Sequence, residues 1–364
     1  MRVLSLPASF RRGVWLPLWL GLPMLAVWVA WLISGQAEPL VQALFAPAVA
    51  QCERWAFPLN AILTGRYGFL TMAPLLLVWT LPLVVLFGVV VDSYQRTGVA
   101  ARLAQSLHPL AVRLGVSGDA PIRALMGLGC NVPAVASFRC RSARVAVAAI
   151  GFGVPCSFQL GAALSVFSAA QRPWLAVAYF ALLAVSLVAY LRISYPTPRS
   201  ALRSWSLHTT PAPATLDGRY LLRAVWGNIV SFLRMAFPVF FGMTLIAALL
   251  DAYGVLDAVG RAVALLMALF HLPADAALPI ALSAIRKDGL ILLAEPSAIA
   301  RLSDAQVLTA VYLGGVLTPC AITIGAMARA LSPRETLTVL AKQVAAACLF
   351  ACIIGWSGYL LERL

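Results

Sequence analysis

Charge is what this chain has least of. Charged residues make up 11% of its 364 positions and hydrophobic residues 62%, too little polarity to cover a soluble protein of this length, so the chain is read as an integral membrane protein. Acidic residues are scarcer than basic ones, 13 against 27, for a formal charge of +14. That excess does not indicate nucleic acid, because the Arg residues are scattered through short loops between apolar runs. Histidine is nearly missing: His108, His208 and His271 stand apart, with no spacing that suggests a metal site. The seven Cys (Cys52, Cys130, Cys140, Cys156, Cys320, Cys348, Cys352) lie mostly within or beside apolar segments and form no disulfide framework. There is no Gly-x4-Gly-Lys-Ser/Thr phosphate loop and hence no nucleotide site in this chain. No polar stretch is long enough for a soluble domain.

What the chain does have is long apolar runs. Seven approach the twenty or so residues that cross a bilayer as a helix: 14–33, 68–91, 145–170, 174–193, 225–250, 305–328 and 338–361. The first is longer than a signal-peptide core and is read as a retained span. Two shorter stretches, 121–137 and 276–294, are interrupted by Gly, Pro or charge and are expected to be re-entrant, because irregular backbone survives at membrane depth only inside protein or beside a wet cavity. Residues 36–66 mix charge with aromatic and aliphatic residues and predict an interfacial amphipathic helix pair. Arg clusters at 11–12, 96–144 and 192–223 mark the cytoplasmic side, the amino terminus included, and Arg329 and Arg334 fall on the same side. The expectation is a multi-pass protein of a bacterial-type cytoplasmic (inner) membrane.

The rarer residues repeat. Asp92, Tyr94, Arg102, Pro121-Ile122, Pro155-Cys156 and Gly161-Ala162 are followed in the same order by Asp251, Tyr253, Arg261, Pro279-Ile280, Pro319-Cys320 and Gly325-Ala326. Segment 92–120 holds three Arg; its counterpart 251–278 holds one Arg against three Asp. That contrast puts the two segments on opposite faces, so the repeats should be inverted, an arrangement in which a transporter's substrate site lies where the halves meet. The expected organisation is an amino-terminal helix and interfacial segment (1–67), a first gate repeat (68–193), a cytoplasmic linker (194–224) and a second gate repeat (225–364).

Chemistry concentrates at the breaks. In Gly127-Leu128-Gly129-Cys130-Asn131-Val132-Pro133-Ala134-Val135, two Gly permit close backbone approach and Pro133 removes a donor, beside a thiol and an amide. A tightly bent, well-packed helix with Cys as a small filler accounts for the same residues. Pro155-Cys156-Ser157-Phe158-Gln159 and Thr318-Pro319-Cys320-Ala321-Ile322-Thr323 each put a thiol one residue after Pro in mid-membrane. In an inverted repeat Cys156 and Cys320, joined by Cys130, would line a soft-donor path suited to Fe, Zn or Cu(I); a Pro kink that tolerates Cys is the plainer account. Asp92 and Asp251 end equivalent spans, either as ion-path carboxylates or as helix-end charges paired with Arg102 and Arg261. Arg286, Lys287 and Asp288 interrupt the second re-entrant stretch, as a functional charge group or as a pair within a loop.

The run Val91-Asp92-Ser93-Tyr94 to Gly98, Ala101 and Arg102, then Val116-Ser117-Gly118, the Gly-Cys-Asn-Val-Pro-Ala segment and Pro155-Cys156-Ser157 resembles the membrane domain of the ferrous-iron transporter B (FeoB) family. Val311-Tyr312 and Pro319-Cys320 to Ala328-Arg329 resemble its second gate region more loosely. The resemblance covers 68–361 and implies Fe(II) as the transported substrate, passing Cys130, Cys156 and Cys320 with Asn131 beside them and with Asp92, Asp251, Ser157, Gln159, Thr318, Thr323 and Asp288 in support. Members of that family usually begin with a GTP-binding domain that is not found in these residues, which implies a separate GTPase or small cytoplasmic partner; a homo-oligomer is a further expected partner, nucleic acid is not. Val91 replaces the usual acid before Asp92, and Asp288 follows Lys287. A small organic solute on the same gate fold is the alternative substrate. An intramembrane aspartyl protease using Asp92 and Asp251 is a remote third reading, since no Gly-x-Gly-Asp segment is present; otherwise no enzyme is expected.

Overall fold

The first helix is the longest but one feature of it departs from expectation. In a computed structural model, which describes residues 8–65, 67–113, 120–138, 143–196 and 217–363, helix α1 runs Ala8–Cys52, 45 residues, a rod of about 67 Å at 1.5 Å per residue. The amphipathic pair expected over 36–66 is therefore corrected: residues 36–52 continue the first span. Their Ala, Leu, Gln and Glu are good helix formers, and Gln42 Nε2 donates to Glu38 Oε1 one turn back (3.0 Å). Only after Cys52 does the chain turn, into the short α2 (Leu59–Thr64). The Val116-Ser117-Gly118 segment, Arg139, Cys140, Arg141 and most of the linker (197–216) lie outside the described residues.

Two matching series follow. The first is α3 (Phe69–Leu75), a π-helical turn (Leu76–Thr80), α4 (Leu81–Arg96), α5 (Val99–Arg113), α6 (Ala120–Gly129), α7 (Asn131–Ala136), α8 (Arg144–Gly153), α9 (Ser157–Ala169) and α10 (Trp174–Ser194). The second is α11 (Gly218–Ser231), a π-helical turn (Phe232–Ala236), α12 (Phe237–Ala252), α13 (Val255–Met267), α14 (Ala277–Ile285), a 3-10 run (Lys287–Ala294), the short α15 (Pro296–Ile299), α16 (Asp304–Val316), α17 (Ala321–Ala330) and α18 (Pro333–Glu362). The π turns, the helices after them, the left-handed glycines Gly98 and Gly254 (φ 71° each) and the breaks at Cys130 and Arg286 all recur 156 residues apart. So do Pro82 and Pro238, just inside α4 and α12.

That spacing corrects the expected register. Asp251 is equivalent to Gln95 rather than to Asp92, Arg261 to Gln105 rather than to Arg102, and Pro279-Ile280 lies two residues off Pro121-Ile122. Backbone punctuation sets the repeat, because Pro and left-handed Gly fix where helices bend, whereas the Asp-to-Arg spacing is carried by helix ends that can drift. Pro82 also shows how a break is tolerated. It has no N–H for the carbonyl four residues earlier, Val78, and buried Ser34 of α1 donates to that oxygen instead (2.7 Å).

Equivalent helices of the two series pack against each other antiparallel. The Arg96 guanidinium at the end of α4 lies 3.9 Å over the ring of Tyr220 at the start of α11. Towards the other end, Phe69 meets Phe237 and Phe241 edge-on, with centroids 5.6 and 5.0 Å apart. The repeats are thus inverted, as expected. Asp92 sits beside the Arg96 end and Asp251 at the far end of α12, about 40 Å further along the antiparallel pair, so the two carboxylates cannot share a proton and the protease reading fails. Spans 21–52, 59–96, 144–169, 174–194 and 333–362 are long and apolar enough to cross a bilayer, and two bent pairs, 244–270 (86°) and 304–330 (40°), raise the number among the described residues to at most seven, if each pair counts as one span. The core joins both halves through Trp79, Phe152, Phe167, Tyr179, Tyr190 and Tyr312, all buried, while Trp174, Val177 and Val185 on α10 are among the large apolar side chains exposed on the outside.

Candidate functional site

Four interruptions meet at the centre. Helix α8 stops at Gly153, and Val154-Pro155-Cys156 runs extended before α9 starts. Helix α16 stops at Val316, and after Leu317-Thr318-Pro319-Cys320 the chain resumes in α17, bent by 40°. The two stretches expected to be re-entrant are hairpins of short helical segments rather than irregular backbone, with tips at Cys130 (φ −154°, ψ 129°) and Arg286 (φ −134°, ψ 123°). Cys156 and Cys320 hold the same N-cap position, on α9 and α17, and Cys130 precedes α7. None of the three closes a capping hydrogen bond; sulfur is a weak acceptor.

The carbonyl ends of the broken helices are satisfied from elsewhere. Pro155 and Pro319 have no N–H to give the oxygens four residues back, Gly151 and Gly315. Gln343 of α18 donates to Gly151 O (3.0 Å) and also to Val316 O (2.8 Å), bridging both helices. Lys287 Nζ donates to Gly315 O (2.7 Å) and Gly314 O (3.0 Å). Asn131, which the 156-residue spacing makes the counterpart of Lys287, donates to Val154 O (3.0 Å). Each hairpin is tied to its own broken helix at equivalent carbonyls: Ser157 Oγ to Leu128 O (2.9 Å) and Thr318 Oγ1 to Ala284 O (3.0 Å).

The structure brings Cys130, Cys156 and Cys320 within electrostatic reach of one another, and Lys287 within reach of the last two. Asn131 and Thr323 belong to the same region, the latter with its Oγ1 3.1 Å from Cys320 Sγ. Among the described residues, no group of three or more His, Cys, Asp or Glu stands close enough to hold a metal ion. Gln159 instead donates to Tyr179 Oη within the core (2.7 Å). Asp288 is held by Arg286, whose Nε donates to Oδ1 (2.9 Å) and whose Nη2 pairs with Oδ2, while Nη1 donates to Thr244 Oγ1 (2.8 Å). The ion pair within the loop is therefore Arg286–Asp288, and Lys287 is not part of it. Asp92 and Asp251 stand apart from the breaks. Gln343 was not foreseen; its signal is a lone amide in the middle of the last apolar span, where a polar side chain is costly without partners.

The two equivalent interfaces around the breaks are both packed, and a cavity lies beside one of them. The 3-10 run packs along α9, with Leu290, Ile291 and Leu293 and the α9 face from Leu160 to Phe167 buried. Helix α7 packs against α17, and a cavity of about 620 Å³ is lined by Val132, Ala136, Phe138, Ile322, Gly325 and Arg329 of the two and their flanks.

A multi-pass helical membrane protein with interrupted helices meeting at mid-depth between inverted halves is of the transporter class. Residues 77–170 and 233–334, more than half of the chain, match the gate family of nucleoside recognition; the chain belongs to that family. It is 28% identical over 260 residues to the Fe(2+) transporter FeoB of Synechocystis sp., a match that takes in 67% of this chain and 40% of that protein, so the chain spans well under half of that relative's length. Its membrane domain is of the FeoB type. A solved structure of a doubly substituted CNTnw in an outward-facing state shares the fold at a TM-score of 0.51, covering 96% of each chain at 12% identity.

Proposed function

We propose that the chain moves a divalent metal, Fe(II), across a bacterial-type cytoplasmic membrane, by opening the region of the four breaks first to one side and then to the other. The single observation that carries this is the shared position of Cys156 and Cys320, one thiol at the start of each outgoing half-helix in oppositely oriented repeats, with Cys130 beside them. Sulfur donors favour Fe, Zn or Cu(I) over Mg or Ca. Electron-rich groups placed there face the positive ends of α9 and α17. The thiols stand as successive stations along a path, since a carried ion must be released as well as held. The similarity to an Fe(2+) transporter supports the same cargo.

Gating is assigned to the two equivalent interfaces, α7 with α17 on the face that carries Arg329 and the 3-10 run with α9 on the other, with a cavity beside the first. By the positive-inside rule the face that carries Arg329 is cytoplasmic. The moving units are the two gate repeats, 68–193 and 225–364, joined by the cytoplasmic linker. Fe(II) uptake into proteoliposomes should fall by about tenfold or more, the scale of one lost interaction of about 1.4 kcal/mol, in Cys156→Ser and in Cys320→Ser. Uptake at the unsubstituted rate in both variants would remove the thiol path.

One observation favours a second reading. Lys287 places a fixed positive charge among the breaks, which suits a small organic solute with a negative or acceptor group better than a dication. Equilibrium titration with Fe(II) and Zn(II) separates the two: no binding of either metal would leave the organic solute.

A further inference from the structure

The two halves satisfy the same backbone defect in chemically different ways. In each, a Pro before Cys orphans the carbonyl of a Gly, and the C-terminal end of the half-helix points its negative pole into the membrane. At α8 the donors are neutral amides, Asn131 to Val154 O and Gln343 to Gly151 O. At α16 Gln343 serves Val316 O, but Gly314 O and Gly315 O are taken by an ammonium, 5% exposed. Neutral donors suffice in the first half, so hydrogen bonding alone does not account for a charge in the second. No carboxylate lies within salt-bridge distance of Lys287 among the described residues, Asp288 being engaged by Arg286. The groups around Nζ are the two carbonyls, the Ser283 hydroxyl that shares Gly314 O (3.0 Å), and the Cys156 and Cys320 thiols. Oxygens at the unwound end of a half-helix are the kind of ligand that seats a monovalent coupling cation.

We propose that Lys287 is a tethered cation: its ammonium fills the seat that the carbonyl end of α16 creates for a free monovalent ion, so this protein needs neither Na⁺ nor K⁺ at that position. Residues Gly314, Gly315 and Ser283 make the seat; Lys287 closes it to solvent ions. The assignment holds whichever solute is carried.

The test uses the full chain purified in detergent, with Na⁺ or K⁺ replacing choline at constant ionic strength. Thermal melting and binding of radioactive Na⁺ are followed without any transported solute, so a negative outcome leaves the metal-transport proposal untouched. Wild type should melt at one temperature in all three salts and bind no Na⁺ saturably. Lys287→Ala should gain a saturable rise in melting temperature of about 3 °C or more in Na⁺ or K⁺, while Lys287→Arg, which keeps the charge, should stay insensitive. If the Ala variant does not accumulate in folded form, Lys287→Ser, whose hydroxyl can complete the ligand set, should show the same rise. Saturable Na⁺ or K⁺ stabilisation of wild type, or a charge-free folded variant as indifferent to salt as wild type, would overturn the assignment.

Discussion

At the scale of single residues, the site depends on where backbone oxygens find donors away from water. Gln343 serves one carbonyl from each broken helix. Gln343→Leu orphans both, and buried unpaired carbonyls cost about 1–3 kcal/mol in all. We expect a clearly lower melting temperature in detergent; a melting curve coincident with wild type would show that water or backbone movement supplies the missing donors. Two glycines separate packing from backbone freedom. A Cβ on Gly315 would fall 2.6 Å from Gln159 Nε2 and 2.8 Å from Tyr179 Oη, whereas one on Gly325 meets nothing within 4 Å. Gly315→Ala should therefore lower the melting temperature, and Gly325→Ala, within helix α17, should leave it unchanged or raise it slightly, since Ala is favoured over Gly there by about 1 kcal/mol. Equal effects in the two would mean that the Gln159–Tyr179 pair does not confine Gly315.

At the scale of elements, a broken helix is stable only if a neighbouring element repairs it. The Ser34 hydroxyl answers Pro82 by donating to Val78 O. Ser34→Ala should cost about 1 kcal/mol, read as reduced resistance to chemical denaturation, while Ser→Ala at exposed Ser357 on α18, whose hydroxyl serves only its own helix, should cost less. What was legible in the sequence follows the same division. The two hairpins were legible because Gly, Pro or charge interrupts runs too short to span, and the breaks at Cys156 and Cys320 because Pro stands before a thiol inside two full-length runs. The length of α1 was not, because polar residues in 36–52 look interfacial although their helix propensity is high. The register of the repeat was misread when Asp and Arg were weighted above Pro82, Pro238, Gly98 and Gly254, whose backbone demands are stricter. Ser34 and Gln343 escaped notice because their partners lie 44 and up to 192 residues away, and no local pattern records a contact of that range. Lys287 was visible as a charge, but only three-dimensional placement parts it from Asp288.

At the scale of the whole molecule, the proposed alternation predicts unequal access to the two equivalent interfaces. A cysteine introduced at Ile322, half exposed on the cavity beside α7 and α17, should react with a membrane-impermeant maleimide added on the face that carries Arg329, whereas one at Leu290, fully buried against the core, should be protected. The measurement is labelling in sided vesicles, in a background stripped of other reactive thiols. Reaction of the Leu290 position at the same rate would mean that both gates open together.

The head-to-tail contact of α3–α4 with α11–α12 has a bearing on descent. A forerunner half this length could have covered that surface only by meeting an upside-down sister, which requires a chain whose loops carry too little basic bias to choose one orientation. Fusing the two copies frees each to commit to its own direction. Three Arg on the α4–α5 side against a single Arg amid Asp on the α12–α13 side are consistent with such a commitment.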